Sequence, residues 1–248
     1  MLFYKAWRES KLRFLASAGL IAAMCFAYAM LSVRLYPGVA HAHPGVHGYV
    51  QYIYWTVFGG ITRGMFQLSC LLLGLGGLQR DRRQHSLGFT LALPVSRARL
   101  VTSRAAVGTL QIFTLSMVPA LVLPLASRIA GQYIPMTYVA LFIPLWIAGG
   151  IFTFSVSFLA SVLFTSEYVS LAVAYVGYIF YLAAVRHPRL SHFHLHAADF
   201  MSGLFPHYLD RTTRLWTGNY GLEPIVWFVT AGLGLMAIGA IITRRQDL

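Results

Sequence analysis

The chain carries six apolar stretches, at about 14–33, 51–78, 105–126, 136–164, 169–185 and 224–242. Each comes close to or exceeds the ~20 residues a helix needs to cross a hydrocarbon core. That layer offers no water to peptide groups, so single passes through it satisfy their backbone within a helix. Charged residues make up only 10% of the 248 positions, against about 25% in soluble domains. The expected fold is therefore an all-α integral membrane protein with six transmembrane helices in one domain, 1–248.

The formal net charge of +12 invites a nucleic-acid reading, but the basic residues stand in short loops beside apolar spans. Placement of that kind sets topology, with binding to anionic membrane lipids as a second reading. Both termini are expected inside, because twelve of the 19 Lys and Arg then fall on cytoplasmic segments, six outside, and Arg63 in the membrane. The implied location is a plasma (inner) membrane, crossed several times.

Residues 1–13 alternate Phe3 and Trp7 with Lys5, Arg8, Lys11 and Arg13. The pattern fits an interfacial helix ahead of the first span, or simply a positive flank that fixes orientation. Ala40-His41-Ala42 resembles a signal-peptidase site, yet the preceding apolar run is longer than a typical signal core, so it is expected to stay as an anchor. Arg63 falls near mid-depth of the second span, where a charge has to face protein or water. It either pairs with a carbonyl or a neighbouring subunit, or meets a translocated anion. Pro119 and Pro124 predict a kink or irregular outer end in the third span. Between Arg186 and Glu223, the spacing of Phe200, Leu204 and Tyr208 predicts short external re-entrant helices.

Several chemistries lack their residues. The two lysines, Lys5 and Lys11, lie outside any GxxxxGK[ST] pattern, and neither HExxH nor GxSxG occurs. Acids are nearly missing from the spans, which disfavours a proton-coupled carrier. Cys25 and Cys70 both fall within spans, away from disulfide or redox roles. The expectation is a chain that is not itself an enzyme, binds no cofactor of its own, and is driven by something else.

The segment from Gln79 to Arg104, between the second and third spans, carries Arg80, Arg82, Arg83, Arg97, Arg99 and Arg104 against the single acid Asp81. Leu87 and Leu91 are one helical turn apart, so a short helix here sets an apolar ridge beside a basic face. Pro94 ends such a helix and Ser96 is placed to cap the next. A solvated charge run has no use for the ridge, which marks the loop as a docking surface for a cytoplasmic partner.

In this layout the chain resembles the permease subunits of ABC-2 type exporters along nearly its whole length. The most specific part is the inner loop, where Asp81-Arg82-Arg83 occupies the place of the family's acidic-basic-acidic run and Leu91-Ala92-Leu93-Pro94-Val95-Ser96-Arg97 matches its closing stretch. His85 stands where glycine is usual and Ser86 where threonine is. The resemblance implies that this loop is a coupling helix seated in a cytoplasmic ABC ATPase, with Asp81, Arg82, Arg83, His85, Leu87, Leu91, Pro94, Ser96 and Arg97 at the contact. It implies Glu167, in the other inner turn, as a second contact. ATP and Mg would belong to that partner, and a second permease copy or a paralogous permease would complete the pathway.

Eight of the nine histidines fall on the expected outer side. In His192-Phe193-His194-Leu195-His196 an extended backbone points His192, His194 and His196 one way, a set that suits copper or zinc. Solvated loop histidines are the plainer reading. The alternative function is thus a membrane-anchored metal-handling or accessory protein.

Overall fold

The computed structural model describes residues 2–35, 46–75, 97–164, 166–185, 187, 196–203 and 222–245. Among them are nine α-helices and one π-helical turn, with no strand: α1 (Leu2–Leu35), α2 (Val46–Ile53), the π-turn (Tyr54–Phe58), α3 (Ile61–Gly74), α4 (Arg97–Ile129), α5 (Met136–Ala140), α6 (Phe142–Leu163), α7 (Glu167–Val185), α8 (Ala197–Met201) and α9 (Leu222–Arg245). Six helical stretches are long and apolar enough to cross a membrane, Leu2–Ser32, Gly48–Gly74, Arg99–Ile129, Met136–Leu163, Tyr168–Val185 and Leu222–Thr243. The protein is a multi-pass helical membrane protein.

α6 is the centre, packed against α3, α4, α7, α8 and α9, while α1 lies along α4. Its surface allows this because small residues let neighbours in closely. A Cβ on Gly74 of α3 would meet the Phe154 carbonyl oxygen of α6 at 2.6 Å, and Ser157 Oγ donates across the same crossing to Leu71 O at 2.6 Å. Gly150 of α6 faces Ile112 of α4 and Phe66 of α3, and Gly232 of α9 faces Ile151. Close approach of backbones at small residues, joined by Ser hydroxyls, is how helices associate where lipid removes the hydrophobic drive between them. The outer faces of α7 and α9 stay apolar and exposed, with Tyr175, Phe180, Val226 and Trp227 pointing away from the bundle.

Two features depart from the sequence reading. The 1–13 segment and the first span form one uninterrupted helix, Leu2–Leu35. No proline or glycine precedes Gly19, and the first turns are tied to α3 and α4, so nothing breaks the helix near Phe14. The third span remains one helix to Ile129 with Pro119 and Pro124 inside it, an arrangement compatible with the kink expected there. The second span, expected as a single helix over 51–78, is broken. It passes from α2 through the π-turn to Gly59–Gly60 and restarts at Ile61. A Cβ on Gly60 would meet the carbonyl oxygens of Trp55 at 2.6 Å and Thr56 at 2.7 Å, so the turn closes only around glycine. Interrupted backbone at membrane depth is stable where protein surrounds it, and here Tyr54, Val57 and Phe58 are buried. Phe58 stacks on Phe142 at 3.9 Å, and Trp146 lies between Phe58 and Phe66.

Candidate functional site

Two polar constellations stand out against the apolar bundle. The first gathers where α1, α3 and α4 meet. Arg104 Nη2 of α4 lies 2.9 Å from Glu9 Oε2 of α1, and Lys5 approaches the same carboxylate at 3.9 Å. Gln111 Nε2 donates to Ser10 Oγ at 2.7 Å, and Ser10 Oγ in turn to Ala6 O at 3.0 Å. Arg13 Nη1 donates to the carbonyls of Leu72, at 3.4 Å, and Leu75. Those are carbonyls at the end of α3, which have no partner within the helix and accept a cation well. A small cleft runs between these groups, lined by Glu9, Ser10, Arg13, Arg104 and Gln111. Gln111 Oε1 is buried there without a hydrogen-bond partner among the described residues.

Geometry explains why charge is tolerated here. At 1.5 Å per residue, the 34 residues of α1 and 33 of α4 run roughly 50 Å each, against a core of ~30 Å. Both helices overreach the core, and their first turns can meet in the polar layer. Leu75, where α3 ends, and Arg104, in the early turns of α4, are thus both tied to α1.

The second constellation is buried within the spans. Arg63, in the first turn of α3 just beyond the Gly59–Gly60 break, donates through Nη1 to Ala198 O at 2.8 Å and Ser202 Oγ at 2.9 Å. Tyr54 OH of the π-turn donates to Ser202 O at 2.8 Å. Gln67 Nε2, one turn along α3, donates to Tyr178 OH at 2.7 Å and approaches Met201 Sδ at 3.4 Å. All converge on α8, whose Ala197, Phe200, Met201 and the following Ser202 are fully buried. Phe200 stacks on Phe228 of α9 at 4.5 Å. Met201 fills the space that Gly149 leaves, a Cβ there lying 2.4 Å from Met201 Cγ.

The residues singled out from sequence fall as follows. Asp81, Arg82, Arg83, His85, Leu87, Leu91, Pro94 and Ser96 lie outside the described residues, as do His192 and His194. Arg97 is the first residue of α4 and Glu167 the first of α7. His196 is the N-cap of α8: its Nδ1 accepts from Asp199 N at 3.1 Å and lies 3.0 Å from Asp199 Oδ2. The two contacts call for different protonation, since a neutral Nδ1 accepts the amide and a protonated one donates to the carboxylate. No group of three or more His, Cys, Asp or Glu placed to hold a metal occurs among the described residues. Glu9, Arg13, Tyr54, Gln111 and Ser202 were not anticipated. The signal for Glu9 was its rarity as an acid in a basic flank; for the others, partners more than fifty residues away in sequence left no local trace.

No protein-family model, no curated protein and no solved structure matches the chain.

Proposed function

We propose that the chain is the membrane-spanning permease subunit of an ATP-driven export complex of the ABC-2 type, coupled to ATP hydrolysis by a separate ATPase. The observation that carries this reading is the junction of Ser96 and Arg97. The charged, leucine-ridged loop closes on Pro94-Val95-Ser96-Arg97, and Arg97 opens an unbroken helix of 33 residues. A push on the loop is then delivered to one continuous helix that passes through the bundle beside α6 and α1. The Glu9–Arg104 and Arg13–Leu75 ties add support, because they join the end of α3 and the early turns of α4 to α1. The loop and α1 then move together.

In this mechanism two ATPase subunits close on ATP and Mg, the loop rides in a groove of one of them through Leu87 and Leu91, and α4 carries the motion inward. Glu167, at the start of α7, is the second contact. One six-span chain supplies half a pathway, so a second copy or a paralogous permease faces it. The test is co-purification: the intact chain retains an ATPase, and Leu87→Glu with Leu91→Glu releases it while membrane insertion persists. Retention of the ATPase by that variant would overturn the proposal.

A further inference from the structure

The polar groups gathered around α8 come from the broken second span and from α7. Arg63, Tyr54 and Gln67 stand on the broken second span and reach one five-residue helix or the Ser202 that follows it, while Tyr178 on α7 accepts from Gln67. That helix crosses nothing. It is held among the spans by three hydrogen bonds from Arg63 and Tyr54, by the Phe200–Phe228 stack, and by Met201 seated against Gly149. Beneath it lies a polar floor, Gln67 with Tyr178, and one turn further along α3 the fully buried thiol of Cys70.

From this we infer that α8 is a plug, latched into the bundle by Arg63, which closes a polar compartment floored by Gln67 and Tyr178. The acceptors that Arg63 and Tyr54 grip are α8's own Ala198 and Ser202 groups, so the helix fills the space as a tethered occupant. Ser202 O, just past the end of α8, takes its donor from Tyr54, and Ala198 O, which already accepts from Ser202 N within the turn, takes a charged second donor from Arg63 only while α8 is seated. An arginine inside the membrane requires such acceptors equally. Each side therefore stabilises the other, and withdrawal of α8 uncovers the compartment. The inference stands independently of any ATPase.

Two native cysteines make it testable. Cys70 lies below α8, whereas Cys25 is equally buried on α1, which packs on α4 and α3 and away from α8. The rate of N-ethylmaleimide modification is measured in membranes on Cys25→Ser protein, reporting Cys70, and on Cys70→Ser protein, reporting Cys25. Cys70 is expected to react slowly in the otherwise native chain. Arg63→Leu removes two charged hydrogen bonds and is expected to accelerate Cys70 about tenfold or more. Gly149→Ala, whose Cβ displaces Met201 without touching Arg63, is expected to accelerate it as well. Cys25 is expected to keep its slow rate in both. Unchanged Cys70 rates in the two variants, fast labelling of Cys70 in the native chain, or a parallel rise at Cys25 would each overturn the inference. Should Arg63→Leu fail to insert, Gly149→Ala alone decides.

Discussion

Glu9 and Arg104, 95 residues apart in sequence, meet at 2.9 Å and fasten the first turns of α1 to the first turns of α4. The side chains are partly buried, 12% exposed for Arg104 and 28% for Glu9. A double-mutant cycle with Glu9→Gln and Arg104→Gln, read by denaturant unfolding in detergent, is expected to give a coupling of about 1 kcal/mol or less. High salt is expected to shrink it. Under the proposed function, the same variants are expected to uncouple export from ATPase turnover in reconstituted vesicles more than they unfold the protein.

Gly74 and Gly64 lie on the same helix and predict opposite outcomes. Alanine at 74 brings its Cβ to 2.6 Å from a backbone oxygen of Phe154 and 2.8 Å from Ser157 Cβ, where the atoms cannot rotate aside. Gly74→Ala is expected to cost roughly 1–3 kcal/mol by parting α3 from α6. Gly64 has nothing within 4 Å of its Cβ direction. There alanine is expected to be neutral or to stabilise by up to about 1 kcal/mol, through helix propensity alone. Unfolding midpoints of the two variants in one detergent check the pair.

His196 is expected to matter for α8 rather than for a metal. Its Nδ1 accepts the amide of Asp199, the third helical residue, which is the N-cap bond. His196→Ala is expected to cost about 0.5–2 kcal/mol, and His196→Asn, which keeps an acceptor, markedly less. Copper and zinc retention, measured by mass spectrometry on purified protein, is expected to be unchanged in both variants. Metal lost together with His196 would instead favour a metal-handling role.

Arg63→Lys tests whether the guanidinium fork matters beyond its charge. One Nη1 serves both Ala198 O and Ser202 Oγ. Lysine offers a point charge on a flexible stem in place of that planar group. A loss of about 1–2 kcal/mol is expected, smaller than for Arg63→Leu, because hydrogen bonds within a membrane protein exchange against other partners there. Unfolding of both variants in the same detergent would rank them.

Reporter fusions test orientation. A reporter after Gln79 or Arg104 is expected inside, and one after His192 outside, given the excess of arginine between the second and third spans. The reverse pattern would remove the loop from any cytoplasmic ATPase.

The sequence alone determined the number of crossings, because the burial of twenty consecutive apolar residues depends on composition and length and hardly on neighbours. Gly59–Gly60 was equally visible as letters, yet hydropathy is blind to backbone path, and the second span read as continuous. Its interruption is a tertiary decision: the π-turn persists because Phe142 and Trp146 of α6 pack its aromatic side chains. Arg63 announced itself by its cost at mid-depth, but the group that relieves that cost sits 135 residues later in the chain. Only packing brings the Ala198 carbonyl to it. The same holds beside α1, where Arg13 reaches the end of α3 and Gln111 of α4 reaches Ser10. Apolar periodicity is written locally and can be read one residue after another; a hydrogen bond between distant segments exists only after helices have chosen their neighbours, at positions such as Gly74 and Gly149 where a missing side chain lets them close.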